Sequence, residues 1–187
     1  MFVASKNNGF GHGVYVQIPR IKLPVPLFIV FRAFGIISDK DICEKIILNI
    51  DDSKMKKMLY AVMASVVDAN KYLTQDEAVK YIVNLAMYTP MNMTKTEGER
   101  KKREFTMNVI NNDIFPHCAN QIQKIYFLGY MANKILRCSF GWNKVDDRDS
   151  YINKRIDLTG TLLNNLFRNY LNKVVKDMQK QLVREIK

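Results

Sequence analysis

The stretch DDRDSYINKRIDLTGTLLNNLFRNYLNKVVKDMQKQL, residues 146–182, joins a polar turn to the clearest helical pattern of the chain. Behind the turn, apolar residues recur every three or four positions as one wide stripe: Leu162, Leu163, Leu166, Phe167, Tyr170, Leu171, Val174, Val175, Met178 and Leu182. Basic residues occupy the opposite face: Arg168, Lys173, Lys176, Lys180 and Arg184. This periodicity predicts a long amphipathic helix. The pattern still runs at Lys187 without a Gly or Pro stop, which predicts a fragment of a longer chain.

The sequence before this helix also predicts mostly helices. Ser38 followed by Asp41, and Thr74 followed by Glu77, have the spacing of helix N-caps, the second of a full capping box. Another apolar pattern at helical spacing opens after residues 51–53 and contains Met55, Met58, Leu59, Val62, Met63 and Val66. A further amphipathic helix is predicted over residues 122–136. The fold class that follows is α+β and mostly α-helical.

Three segments bear on where strands and loops lie. Val14, Val16 and Ile18 alternate with Tyr15 and Gln17, which predicts a short strand near the N-terminus. Residues 27–31 are apolar throughout, so they fit either a buried strand or the start of a helix. Residues 94–104 are the most highly charged interval and predict a surface loop running into a helix that Pro116 ends.

Composition limits the classes of function. Of the 187 residues 48% are hydrophobic, which excludes a disordered chain, and 29 basic against 18 acidic residues give a net charge of +11. Such a surplus indicates a polyanionic partner, either nucleic acid or an anionic membrane surface. The most apolar run, residues 23–37, is too short and interrupted to cross a bilayer. Three cysteines without C-x-x-C spacing indicate reduced thiols in an intracellular protein, and no signal peptide is recognised.

The densest acidic cluster is Asp146, Asp147 and Asp149. Bunched carboxylates can hold Mg²⁺ for phosphoryl transfer, because a hard cation prefers oxygen ligands. The alternative is a solvated turn whose aspartates cap the following helix, and Arg148 within the cluster would partly neutralise a metal cage.

Other candidate motifs are weaker. Residues 9–13, GFGHG, resemble a phosphate loop, but a strand rather than a helix is predicted after them, so a turn or hairpin tip is preferred. His117 and Cys118 lack the further ligands that a zinc site needs and are interpreted as turn and core residues. The methionines of the apolar pattern after residues 51–53, Met55, Met58 and Met63, fit either an adaptable docking groove or ordinary core.

Three motifs carry a resemblance to a known family. They are VFRAFGIISD at residues 30–39, FLGYMANK at residues 127–134 and, most specifically, DDRDSYINKRIDLTG at residues 146–160; IFPHC at residues 114–118 adds to them. In this order and spacing they resemble the lobe, domain 2, of the second-largest subunit of eukaryotic-type multisubunit DNA-directed RNA polymerase. The resemblance covers roughly residues 16–184.

This resemblance implies a domain arrangement and a source. Residues 1–18 would hold the N-terminal strand and the end of a preceding protrusion-type region, and residues 19–187 the lobe, with a small strand element near the N-terminus. Ser150 and Thr161 depart from the family's usual His and Pro, which indicates a divergent lineage. Together with residue usage typical of an AT-rich genome, this favours a large DNA virus as the source.

The resemblance also implies a function. The lobe is a non-catalytic wall of the cleft over downstream DNA, and it docks other polymerase subunits, including a small zinc-bearing one, and initiation factors. The catalytic Mg²⁺ belongs elsewhere in the parent nucleotidyltransferase, so no cofactor is expected in this fragment. Arg148, Asp149, Lys154 and Arg155 would lie near the DNA; in bacterial relatives the residue matching Asp149 contacts a base of the non-template strand. The expected location is the nucleus or a cytoplasmic viral factory, with no membrane association.

Two alternatives belong to other classes. The first is a metal-dependent nuclease or nucleotidyl transferase that uses Asp146, Asp147 and Asp149. The second is a helical scaffold that binds protein through its apolar faces and has no role on DNA.

Overall fold

The computed structural model describes residues 1–5, 11–49, 51–89 and 94–186. The chain divides into two compact units, Met1–Lys144 and Val145–Lys187. In its described residues the first unit contains three strands, β1 (Phe2–Ser5), β2 (His12–Val16) and β3 (Val25–Pro26), and six α-helices: α1 (Leu27–Ala33), α2 (Asp39–Ile47), α3 (Ser53–Ala69), α4 (Gln75–Leu85), α5 (Lys95–Asn108) and α6 (Gln121–Ser139). The second contains α7 (Thr159–Ile186). The mostly helical α+β class is therefore confirmed, whereas the predicted boundary after residue 18 stays a prediction.

The strands form a small antiparallel sheet in the order β1-β2-β3. Val3 pairs with Val14, and Tyr15 pairs with Pro26. Beyond that pair the chain turns from β3 into α1, so no β3 residue lies beside Val14. The Ser65 hydroxyl of α3 occupies that position instead. This hydroxyl accepts a hydrogen bond from the backbone N–H of Val14 and donates one to its carbonyl oxygen, both at 3.0 Å. The buried backbone of β2 is thus paired where β3 ends.

Helix α1 resolves the ambiguity at residues 27–31 in favour of a helix. All seven of its residues are buried, so the helix has no polar face and its sequence has no 3.6-residue period. Pro26 precedes it, and a proline directly before a helix loses nothing by lacking an N–H. The apolar side chains of α1 pack into the main core with Ile42 and Ile46 of α2 and Ile82 of α4.

Arg32 is the one residue of α1 that carries a charge, and its side chain is only 1% exposed. One guanidinium nitrogen donates to the carbonyl oxygen of Ala69, the last residue of α3, at 2.6 Å and to that of Tyr72, three residues further on, at 2.7 Å. The other donates to the Asp39 carboxylate at 2.6 Å, in the first turn of α2. Because a planar guanidinium presents several fixed donors, one side chain joins three helices.

Helices α2 and α6 cross closely because Gly129 has no side chain. A Cβ atom at Gly129 would overlap the carbonyl oxygen of Lys45 on α2. One turn further along α6, the Asn133 amide donates to the carbonyl oxygen of Ile46 at 2.7 Å and so satisfies a free carbonyl near the end of α2. The predicted helix over residues 122–136 is confirmed as part of α6.

The charged interval over residues 94–104 is helical, so the prediction of a surface loop there was wrong. The Thr94 hydroxyl accepts the backbone N–H of Glu97 and caps α5, which begins at Lys95. The charged side chains stand in solvent around the helix rather than marking a loop. α5 continues into a π-helical turn, Val109–Asp113, which ends before Pro116.

Both other predicted caps are present. Ser38 accepts from the backbone N–H of Asp41 at the start of α2. At α4, Thr74 accepts from the N–H of Glu77 while the Glu77 carboxylate accepts from the N–H of Thr74 at 3.1 Å, which completes the predicted capping box.

The capping box gives a pH-dependent prediction. The backbone N–H of Thr74, and secondly its hydroxyl, hold the pKa of Glu77 below its ordinary value of 4.5. A carboxyl group with a lowered pKa stabilises the folded state above that ordinary value, and the contribution disappears as the pH falls through the folded-state pKa. We expect Glu77→Ala to be less stable than the wild type at neutral pH and to approach it in acid, as measured by urea unfolding at several pH values. A pH-independent difference would contradict this role.

The predicted C-terminal helix is confirmed as α7, but none of its residues is buried. The apolar stripe that the periodicity predicted is open to solvent: Leu162 is 54% exposed and Phe167 65%. No helix in the described part of the chain is both long enough and apolar enough for a bilayer span.

Candidate functional site

The four predicted DNA-proximal residues lie on one exposed loop, residues 146–155, which precedes α7. Its bend is stabilised by Asp147, whose carboxylate accepts the backbone N–H of Asp149 at 3.0 Å. The side-chain amide of Asn153 donates to the carbonyl oxygen of Asp147 at 2.8 Å. Such local hydrogen bonds are typical of Asp and Asn in turns. The loop is therefore held in shape by Asp147 and Asn153, two residues that were not among the predicted DNA-proximal residues.

The predicted site residues are left facing solvent. Arg148, Asp149, Lys154 and Arg155 are all exposed. A second bend, in which the carbonyl oxygen of Ser150 accepts the backbone N–H groups of Asn153 and Lys154 at 3.0 Å, lies between the acidic and the basic half of the loop. Among the residues that the structure describes, Arg155 makes only long contacts of 3.4 Å, to the carbonyl oxygens of Ile152 and Lys154. These cations can reach phosphate oxygens without first giving up a strong partner.

The positive charge continues into α7. Residues 153–187 include eight basic and three acidic residues. On α7 the described ion pair joins Lys180 to Asp177 at 3.7 Å, with both side chains more than half exposed. An exposed, net positive segment attracts a phosphate backbone through long-range, salt-sensitive interactions and not through base-specific contacts.

The acidic cluster does not have the geometry of a metal site. Within residues 1–5, 11–49, 51–89 and 94–186, no three His, Cys, Asp or Glu side chains lie close enough to hold an ion. The Asp147 carboxylate is occupied by a backbone N–H. The structure thus agrees with the alternative of a solvated turn and lends no geometric support to the nuclease alternative built on Asp146, Asp147 and Asp149.

The weaker motifs find structural roles where they are described. Gly9 and Phe10 of the glycine-rich motif lie outside the described residues; Gly13 follows within β2, so a strand and not a helix comes next. His117 stacks edge-on against Phe127, with ring centroids 4.7 Å apart. Met58 is fully buried in the core, whereas Met63 is 42% exposed.

A nucleophilic cysteine is disfavoured at Cys43. Burial, and secondly the charge of Asp39, raises the pKa of this thiol to about 11. Since the thiolate and not the thiol is the nucleophile, Cys43 is protonated and unreactive at neutral pH.

The sequence analysis missed one feature, a basic groove between α4 and α5. Lys80 lines it from α4, and Arg100, Lys102 and Arg103 line it from α5. A signal was present, because Thr94 and Glu97 have the same capping spacing as Thr74 and Glu77. If the cap at Thr94 had been used to predict a helix from Lys95, the basic side chains of residues 95–108 could have been assigned to a helix face.

A mostly helical α+β unit with a small antiparallel sheet is followed in the chain by this exposed basic loop. The chain belongs to the family described as RNA polymerase Rpb2, domain 2, whose model matches residues 3–157. This match ends just beyond the loop and before α7.

Named relatives come from several lineages. The chain is 31% identical over 185 residues to DNA-directed RNA polymerase II subunit 2 of Arabidopsis thaliana, covering 96% of this chain and 15% of that protein. It is 32% identical over 189 residues to DNA-directed RNA polymerase subunit 2 of Acanthamoeba polyphaga mimivirus, covering 90% and 15%. It is 30% identical over 176 residues to subunit Rpo2N of Methanocaldococcus jannaschii, covering 92% and 33%. The chain therefore spans about a seventh of the first two relatives and a third of the last. The family expectation from the sequence motifs is confirmed.

Proposed function

We propose that this chain is a segment of the second-largest subunit of a DNA-directed RNA polymerase and forms its non-catalytic lobe, a wall of the cleft over downstream DNA. The observation that carries the proposal is the family match over residues 3–157, which includes the exposed basic loop. In this role Arg148, Lys154 and Arg155 contact phosphates, and Asp149 accepts a hydrogen bond from a base amino group. RNA synthesis, with its Mg²⁺, is assigned to other parts of the enzyme.

The partners and the location follow from the same proposal. Other polymerase subunits contact the lobe, and initiation factors dock on it. The enzyme acts in the nucleus or, for a viral polymerase, in a cytoplasmic factory. A viral relative at 32% identity agrees with either location, since subunits from a plant and from a virus both match the chain.

The DNA role predicts unequal effects of single charge removals. We expect Lys154→Ala and Arg155→Ala each to weaken binding of a DNA bubble about three- to fivefold, because each removes one phosphate contact. Lys101→Ala, which removes one charge from the exposed face of α5, is the matched control and should change the affinity by less than about 1.5-fold. Fluorescence anisotropy with a labelled bubble duplex measures all three. Equal effects of the three substitutions would show that the loop is not the DNA-contacting segment.

The salt dependence of the affinity tests whether DNA binding depends on phosphate contacts. Binding through phosphate contacts releases counterions, so the affinity of the wild type should fall steeply between about 50 and 200 mM salt. Lys154→Ala should also reduce the slope by about one unit in a double-logarithmic plot. An affinity that does not change with salt would contradict phosphate contacts altogether.

The exposed stripe of α7 favours a second candidate function, a protein-binding scaffold without a role on DNA. Large apolar patches on a surface are typical of interaction sites. Tight binding of this chain to another polymerase subunit, together with no measurable affinity for duplex or bubble DNA, would support the scaffold over the DNA-binding lobe.

A further inference from the structure

The first unit has an open groove between α4 and α5, remote in sequence from the loop at residues 146–155. Its volume is about 800 Å³. Its lining includes Lys80, Val83 and Asn84 from α4 and Arg100, Lys102 and Arg103 from α5, together with Thr96 and Glu99. On α4, Val83 and Asn84 follow Lys80 by three and four positions and so lie beside it on the helix surface, and Arg100 and Arg103 are likewise three positions apart on α5. Two helices thus present side chains into one concave surface.

The groove is strongly positive. Four cationic side chains line it, against the single carboxylate of Glu99. Two of the cations have partners: Arg103 pairs with Asp76 at 2.7 Å, and the Lys102 ammonium lies 3.5 Å from the carbonyl oxygen of Asn84. In the described part of the chain, Lys80 and Arg100 form no hydrogen bond or ion pair, although the charge of Lys80 helps to lower the pKa of Glu77 on the same helix. Arg100 is therefore available to an anionic ligand, and the Lys80 ammonium can turn from Glu77 towards one.

The wall of the groove is partly apolar. Val83 is half-buried and packs against the main core, and it lines the groove between Lys80 and the α5 cations. Lysine and arginine add methylene stems that also present apolar surface. A ligand that fills this space therefore needs an apolar group beside its negative charges.

We propose that the groove binds an acidic peptide segment of a partner protein, with carboxylates on Lys80 and Arg100 and an apolar side chain against Val83. A guanidinium matches a carboxylate in a two-bond fork, which gives such a segment a preferred orientation. Duplex DNA fits less well, because its phosphates lie on the outside of a wide cylinder and cannot follow a concave groove between adjacent helices. The proposal rests on the docking part of the proposed function and uses none of the residues assigned to DNA.

The test uses the whole chain and a short fluorescein-labelled peptide of glutamates interrupted by leucines. We expect the double variant Lys80→Glu with Arg100→Glu to weaken binding at least about tenfold, since it replaces two attractions by two repulsions. The matched control, Lys173→Glu with Lys176→Glu on α7, makes the same change in net charge and should alter the affinity by less than about twofold. Lys80→Gln with Arg100→Gln guards against misfolding of the charge-reversed variant and should weaken binding to an intermediate degree.

Three results would overturn the proposal: no binding of the peptide at physiological salt, equal losses in the two charge-reversed variants, or a tighter groove-dependent complex with duplex DNA. A second peptide with glutamine for every glutamate should not bind. In the same assay, bubble DNA is titrated with the wild type and with Lys154→Ala, which separates this proposal from the DNA role. If Lys154→Ala binds the DNA as tightly as the wild type while the groove variants lose the peptide, the DNA-wall assignment is wrong and the groove proposal stands. If Lys154→Ala loses the DNA while the groove variants keep the peptide, the groove proposal is wrong.

Discussion

Replacing Arg32 by methionine is expected to lower the free energy of unfolding by about 3 kcal/mol. Methionine keeps much of the volume but leaves the carbonyl oxygens of Ala69 and Tyr72, both within 2.7 Å of the guanidinium, without that donor. The Ala69 oxygen keeps the backbone N–H of Tyr72 at 2.9 Å, whereas the half-buried Tyr72 oxygen loses the guanidinium. An acceptor shielded from water that loses a charged donor regains only part of its hydrogen bonding from solvent. Urea unfolding followed by helical circular dichroism measures the change.

Two further substitutions test the geometry of the Arg32 contacts. Arg32→Lys keeps the charge but cannot reach acceptors on both sides, so we expect most of the same loss. Asp39→Asn should lose less, about 1 kcal/mol, because the Asp39 side chain is 43% exposed and water can replace part of the contact. A loss below about 1 kcal/mol for Arg32→Met would show that the guanidinium does not hold the helices together.

Gly129→Ala is expected to destabilise the first unit by about 2–3 kcal/mol. The added Cβ would overlap the Lys45 carbonyl oxygen, which belongs to the backbone and cannot turn away as a side chain could. Helices α2 and α6 must then separate, which weakens the packing around Leu128 and Ala132 and lengthens the Asn133 hydrogen bond. Thermal and urea unfolding would both report the loss.

The sign of the Gly129 effect is itself informative. Inside an ordinary exposed helix, alanine is more favourable than glycine by about 1 kcal/mol. Gly160→Ala on α7 is the matched control, because a Cβ there meets nothing within 4 Å. We expect that variant to be as helical as the wild type or more so. Stabilisation by Gly129→Ala would mean that the close crossing of α2 and α6 is wrong.

Short-range signals were the predictable part of the fold. The caps at Ser38 and Thr74 depend on residues three positions apart, so the sequence alone identifies them. The wrong loop at residues 94–104 shows the limit of composition: a high density of charge suggests a loop, yet the Thr94 cap and a solvated helix face accommodate it. At residues 27–31 no period existed to be found, because α1 is buried on every side.

Contacts between distant segments were not predictable from the sequence. Arg32 stands in one of the family motifs, but nothing local indicates that its partners are carbonyl oxygens of residues 69 and 72. Likewise the side-chain amide of Gln121 donates to the carbonyl oxygen of Phe34 at 2.7 Å, across 87 positions of sequence. The candidate loop was recognisable as a motif, and its exposure follows from its polarity; the groove required the tertiary placement of α4 beside α5.

The pairing of Ser65 with Val14 has a consequence for how copies of this chain behave when concentrated. An unpaired strand edge is a template on which a strand of another molecule can add, and repeated addition leads to aggregation. Here a hydroxyl fills both the donor and the acceptor position of Val14 where β3 ends. The same small side chain that completes the fold of one molecule therefore also blocks this stretch of β2 from extending its sheet into a neighbour.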